Sequence, residues 1–238
     1  MGDAAERKGV QVPLRTRPLN IGIYEVPEAA RLAGLKPAQL RRWLGGGEAP
    51  PLWRSELPVV EERIGLGFHD LVQARILGEL VRQGLHPRLL RRLVAEARDM
   101  LRTEHPLAHA RFRTDGKRLY LELLEEERRI YDLDRRQYGF HRVIEPSLKS
   151  LEYHGEMASR WWPLGRNTLV VLDPERAFGK PVASESGVPT ATLFEQYVVH
   201  GSYRRVARIF DVREREVRDA VRFEKTLADR GSRTLRAA

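Results

Sequence analysis

Gly179–Glu224, GKPVASESGVPTATLFEQYVVHGSYRRVARIFDVREREVRDAVRFE, holds three helical runs joined by very short connections. Apolar residues recur at helical spacing over Thr192–His200, Ser202–Phe210 and Arg213–Asp229. Ser202 stands where an N-cap hydroxyl would accept from the first free amides. Only Asp211 and Val212 separate the last two runs, so the segment predicts a compact three-helix unit of helix-turn-helix type. Val206, Ile209, Phe210, Val212, Val217, Ala220, Val221 and Phe223 form its candidate core. Arg204, Arg205, Arg208, Arg213, Arg215, Arg218 and Arg222 are then left for the surface. Two readings of them stay open: contact with DNA or a partner, or a solvated face with pairs such as Glu214–Arg218 worth about 0.3–0.5 kcal/mol each.

A second helical pair lies near the start of the chain. Glu28–Leu32 and Pro37–Leu44 flank Gly34, and Gly45-Gly46-Gly47 ends the second run. Ala29, Ala30, Leu32, Leu35 and Leu40 supply a buried face, which leaves Lys36, Gln39, Arg41 and Arg42 outward. Gln and Arg can make paired hydrogen bonds to base edges, and Lys and Arg can meet phosphates. With Arg54 in the following Pro-rich stretch they are the candidate DNA-binding residues. Phe68–Gln83 and Pro87–Arg102 predict two further helices packed on each other.

Between these units the pattern changes. Ala110–Thr114 and Lys117–Leu123 alternate around Asp115-Gly116, which predicts a tight hairpin, and Arg129–Leu133 and Thr168–Leu172 are further strand candidates. The chain is thus expected to be α+β. Residues 1–20 form an arm, 21–104 a helical DNA-binding domain, 105–180 a β-rich middle, 181–229 the three-helix unit and 230–238 a tail.

Composition narrows the function. The 238 residues carry no cysteine, which excludes disulfides, thiolate nucleophiles and cysteine-held zinc and suits a reducing cytoplasm. Aliphatic runs reach only about four residues, as in Leu169–Leu172, so neither a membrane span nor a signal peptide is expected. The net charge of +9 favours a polyanionic partner. Residues 201–238 hold ten Arg and one Lys against six acids, a balance of +5.

No catalytic constellation stands out, so no enzyme activity and no cofactor are expected. His105 and His109 have a helical metal-ligand spacing, but Pro106 between them disfavours the helix that would align them. Glu125–Glu127, Asp132 and Asp134 fall in polar turn positions, where solvation explains them. Adjacent Trp161 and Trp162 cannot both face inward on a strand; one marks either an exposed interaction surface or ordinary rim packing.

Two resemblances follow from these stretches. Tyr24–Trp43, followed by FHDLVQARILGELVRQGL, resembles the DNA-binding head of MerR-type regulators: a helix-turn-helix, a wing, then an Asp-Leu helix. The resemblance places Arg41 and Arg42 where the recognition helix meets DNA, and Trp43 at a partly structural aromatic position. Two departures are plain. Arg54–Gly67 lacks the Gly-Tyr-Arg-x-Tyr wing pattern, and no long coiled coil is expected after Arg102, so effector sensing and MerR-style dimerisation do not carry over. The second resemblance rests on Gly179–Glu224, with FHDLVQARIL and HPLAHARFRTDG in support, and is to VapB-type antitoxins. It implies a non-enzymatic antitoxin that binds operator DNA and neutralises a PIN-domain, VapC-like ribonuclease. A homodimer is expected, because one helix-turn-helix covers only a few base pairs. The alternative is a stand-alone MerR-like regulator with a ligand site in its middle segment.

Overall fold

The computed structural model describes residues 21–60, 63–131 and 145–236, without the side chains of 124, 127–131 and 231–236. The expected arm, residues 1–20, lies outside them. Helix α1, Val26–Ala33, carries Pro27 in its first turn and ends on Gly34, at φ 70°. There Leu35 N–H reaches back to Ala30 O at 2.8 Å, closing the helix through a left-handed cap. Helix α2, Pro37–Trp43, starts on the proline that supplies its fixed φ. Strands β1 (Tyr24–Glu25), β2 (Val59–Val60) and β3 (Arg63–Leu66) form an antiparallel sheet in the order β1-β3-β2. Register pairs Tyr24 with Leu66 and Val59 with Ile64. The Pro-rich stretch after α2 thus ends in two strands of a small sheet, the wing, beside the α1–α2 pair.

Helices α3, Phe68–Arg82, and α4, Pro87–Leu101, bury the predicted apolar faces. The expected hairpin does not form. Ala110–Arg113 is a 3-10 turn, and Asp115–Tyr131 is a helix, α5, instead of the second strand of a hairpin. Asp115 sits in the first turn of α5, where its charge suits the helix N-terminus, and accepts from Arg111 Nε at 2.9 Å. Gly116 is needed for space, not for a turn: a Cβ there would lie 2.2 Å from Phe112 Cδ2. Apolar Leu119, Tyr120 and Leu123 fall on one side of α5 and join the core, and Arg118 pairs with Glu122 four residues on at 2.9 Å. Residues 129–131, read as the start of a strand, belong to the same helix, and 132–133 lie outside the described residues. The chain after Arg102 therefore continues in 3-10 turns and helix, not strands.

The sheet of the middle segment comes later. After α6, Glu145–Lys149, strands β4 (Leu151–His154), β5 (Met157–Trp161), β6 (Val170–Leu172) and β7 (Pro181–Ala183) pair antiparallel in sequence order. The candidate strand Thr168–Leu172 is β6, apart from its first two residues. Helices α7 (Thr190–His200), α8 (Tyr203–Phe210) and α9 (Glu214–Arg236) make the three-helix unit, and α9 runs on through residues read as tail. The Ser202 hydroxyl accepts from Arg205 N–H at 3.3 Å, as an N-cap.

A small core of Ala183, Leu193, Val206, Ala207, Val217, Ala220 and Val221 lies among α7, α8 and α9. Two residues assigned to it from sequence belong elsewhere. Phe223 packs, with Leu227, in the large core that begins at Tyr24, and Ile209 is 51% exposed. Helix α9 is long enough to serve both cores from different turns.

Candidate nucleic-acid interface

Helix α2 buries Leu40 and Trp43 and leaves Arg41 and Arg42 exposed on the other side. Lys36, its N-cap, and Gln39 are half-buried. Trp43 meets Trp53 with ring centroids 6.4 Å apart, so the loop after α2 is anchored on the helix it leaves. Leu52 N–H donates to Trp43 O at 2.7 Å, and Arg91 Nη1 donates to Pro50 O at 2.7 Å, fixing the same loop from α4. Arg54 is exposed, and only its backbone N–H is engaged, with Glu104 Oε2 at 3.4 Å. Arg41, Arg42 and Arg54 have no acidic partner among the described residues. A helix face with such cations, beside a wing, can meet phosphates and base edges without first breaking an ion pair.

The residue that sets this geometry was not singled out from the sequence. Asp70, fully buried in the first turn of α3, accepts five hydrogen bonds. Its Oδ1 takes Trp53 Nε1 and His105 Nε2, both at 2.7 Å. Its Oδ2 takes Ser55 Oγ at 2.8 Å, Glu56 N at 3.0 Å and Gly67 N at 2.8 Å. Burial pushes this carboxyl up, but the His105 hydrogen bond and charge and the backbone donors outweigh it, so it titrates below the usual range. Asp70 thus ties the loop before the wing, the start of α3 and the chain beyond α4 to one atom pair. His105 and His109 face different partners: His105 faces Asp70, while His109 Nδ1 caps the turn at Arg111 N, 3.2 Å away.

His69 makes a second tie. Its Nδ1 faces Glu56 Oε1 at 2.5 Å and its Nε2 faces Ala158 O at 2.9 Å, so both ring nitrogens meet acceptors. Burial is the largest single influence and lowers its pKa, but the hydrogen bond and charge of Glu56, with Ala158 O and the charge of Asp70, together outweigh it, and the net direction is up. When doubly protonated, the ring satisfies both partners. A cleft of about 700 Å³ opens beside it, lined by Glu152, His154, Ser159, Arg160 and Asp173 among others.

All seven arginines of the C-terminal unit are exposed, but they are not equivalent. On α9 and just before it, Arg213 pairs with Glu185, Arg218 with Glu214 and Arg222 with Asp219. Arg215 Nη2 donates to Asn167 O at 2.6 Å. On α8, Arg204 lies 4.0 Å from Glu214, while Arg205 and Arg208 have no acidic partner among the described residues. The sequence motif around this unit turns out to be architectural. Glu216, 2% exposed, accepts from Glu185 N, Ser186 N and Ser186 Oγ, and Thr190 Oγ1 donates to Glu224 Oε1 at 2.5 Å. Ser184–Thr190 is thereby clamped onto α9. Trp161 is buried, and half-buried Trp162 donates to Glu152 Oε1 at 2.9 Å, which is rim packing.

Among known proteins, the chain is similar to one named as an antitoxin. It is 25% identical over 230 residues to "Putative antitoxin VapB45" of Mycobacterium tuberculosis (strain ATCC 25618 / H37Rv), spanning 85% of this chain and 93% of that protein. The crystal structure of Rv2018 from Mycobacterium tuberculosis superimposes with a TM-score of 0.66 at 23% identity. That match covers 86% of this chain and 97% of that one, and it is a likeness of fold. No protein-family model matches the chain. Among the described residues no helix is long and apolar enough to cross a membrane.

Proposed function

We propose that this chain is the antitoxin of a toxin–antitoxin pair, a homodimeric, cytoplasmic, non-enzymatic protein that binds operator DNA and neutralises a PIN-domain ribonuclease. The observation that carries the DNA half is the outward face of α2. Arg41 and Arg42 stand exposed there without acidic partners among the described residues, next to a wing whose base is fixed by Asp70. Lys36 and Gln39 flank them, and Arg54 extends the face toward the wing. The likeness to a protein named as an antitoxin supports the other half. The arginines of α8, chiefly Arg205 and Arg208, are the better candidates for partner or DNA contact in the C-terminal unit, because those of α9 are already engaged.

Changing Arg41 and Arg42 together to Ala tests the reading. Operator affinity should fall, and the slope of log K against log salt should flatten by about 0.9 for each phosphate no longer neutralised. A double variant that shifts operator DNA like the parent at every salt concentration refutes the assignment of α2. Co-expression with the product of the neighbouring gene, followed by a pull-down, tests the toxin. A second reading, a regulator with a small-molecule site, is favoured by the cleft beside His69; it gains if no neighbouring gene product co-purifies.

A further inference from the structure

We infer that the cavity between the end of α1, the outer face of α3, β5 and α9 binds a small oxyanion, the phosphate or carboxylate group of a small metabolite. The cavity measures about 330 Å³ and is lined by Gly34, Arg75, Glu79, Arg82, Trp161 and Arg230 among others. Among the described residues that line it, three are arginines and one, Glu79, is an acid. Burial is the main reason Arg75 is held down to about 10, and Arg230 and Arg82 add to it against Glu79. Arg230 is lowered by burial and then by Arg82. Like charges that depress one another in a half-enclosed space are stabilised by an anion between them.

The groups are also held in place before any ligand arrives. Arg75 donates to Ser147 O at 3.2 Å and to Ser150 Oγ at 3.3 Å, and its guanidinium lies 4.7 Å from the centroid of the Trp161 ring. Arg82 is fixed by Glu79 and by Gly34 O, 3.0 Å away. The indole of Trp161 lines the same cavity. Trp161 is 2% exposed, and its buried Nε1–H has no acceptor among the described residues. Guanidinium and indole N–H groups only donate, so the ligand that completes the set must bring acceptors. Phosphate and carboxylate oxygens do so, and Arg presents them a planar fork. The volume stands at the low end of small-molecule sites, which sets the size of what carries the group.

Occupancy would bear on the proposed reader, because Arg82 holds the carbonyl of Gly34, the residue that turns α1 into α2. That consequence rests on the DNA-binding reading; the site itself does not. The test is calorimetric titration of the full chain with inorganic phosphate, and separately with citrate, at ionic strength matched with chloride. Saturable binding of either is expected, weakened at least about tenfold in Arg230→Gln and in Arg82→Gln, since one charge-assisted hydrogen bond is worth a tenfold change or more. Arg230→Gln, near the end of α9, is the safeguard should Arg82→Gln disturb the Gly34 turn. Citrate bound in place of phosphate keeps the site and assigns it to carboxylates. Heats no larger than those of chloride, or equal affinity in both variants and the parent, overturn the inference. No DNA is present in the titration, so failure of α2 as a reader leaves its result intact.

Discussion

Asp70→Asn removes one charge and one acceptor from the most heavily used side chain of the proposed reader. Asp70 Oδ1 accepts two donors and Oδ2 three, so whichever position the amide nitrogen takes, it meets N–H or O–H groups it cannot satisfy. Hydrogen bonds to charged groups contribute about 1.5–3 kcal/mol each, and removing one partner of a buried charge pair costs about 3–5 kcal/mol. We expect a loss of about 3–5 kcal/mol, a large share of the roughly 5–15 kcal/mol that holds a folded protein. At a urea slope of about 2–3 kcal/mol/M the midpoint moves down by about 1–2.5 M. Urea unfolding followed by tryptophan fluorescence reads this, Trp53 being one of the reporters. A second arm uses acid. Because the folded-state pKa of Asp70 is depressed, its stabilisation is present above the unfolded-state value of about 4 and is lost as pH falls through the folded value. The parent should lose this share on acidification and Asp70→Asn should lack it. A shift below about 1 kcal/mol with an unchanged acid limb would show that the five hydrogen bonds do not hold the wing.

Three other perturbations test separate parts of the structure. The pKa of His69 is raised, so its share of stability is complete below the unfolded value of about 6.5 and fades as pH rises through the folded value; Glu56→Gln should abolish that dependence in thermal melts between pH 5 and 8. Gly179→Ala places a Cβ 2.3 Å from Tyr24 Oη at φ +82°, and should cost at least about 2 kcal/mol in urea titrations, against about 1 kcal/mol for Tyr24→Phe. Glu216→Ala strips the acceptor from Glu185 N, Ser186 N and Ser186 Oγ, so amide exchange over 184–190 should rise by tenfold or more while that of α3 stays the same.

What the sequence disclosed was what local chemistry decides. Gly34 between two short apolar-faced runs, and Ser202 before Tyr203, announce helix ends through capping, and the structure places them there. Asp115-Gly116 misled because two local meanings compete: a hairpin turn, or an acidic first helical turn with a glycine. Packing chose between them, since Phe112 needs the space that Gly116 leaves. The wing was implied by the MerR-type resemblance and not by residue pattern: β2 is two residues long and its valines are exposed, so no alternation betrays it. Asp70 was legible as an acid at a helix start and no more. Its importance arises from Trp53, Ser55 and His105, which reach it from positions that only the fold brings together. The seven C-terminal arginines look alike in sequence; their sorting into paired and unpaired depends on Glu185, Asn167 and Asp219.

One packing feature joins the α1–α2 pair to the C-terminal three-helix unit. The large core contains Tyr24 and Leu32 from β1 and α1 and Phe223 and Leu227 from α9, so the proposed reader and α9 belong to one packed body. Continuity alone transmits nothing, because coupling needs an element with two arrangements. The described backbone stores strain at such a junction. Ala177, Phe178 and Gly179 stand at φ 46°, 56° and 82°, between β6 and β7, and Phe178 is 59% exposed. Each non-glycine residue held there costs on the order of 1–3 kcal/mol. What holds them is the first unit itself: Ile23 N–H on Phe178 O at 3.0 Å and Tyr24 Oη–H on Gly179 O at 2.6 Å. Ile23 and Tyr24, at the start of the first sheet, therefore grip the turn that leads into the C-terminal unit, and loosening either hydrogen bond would release part of that strain.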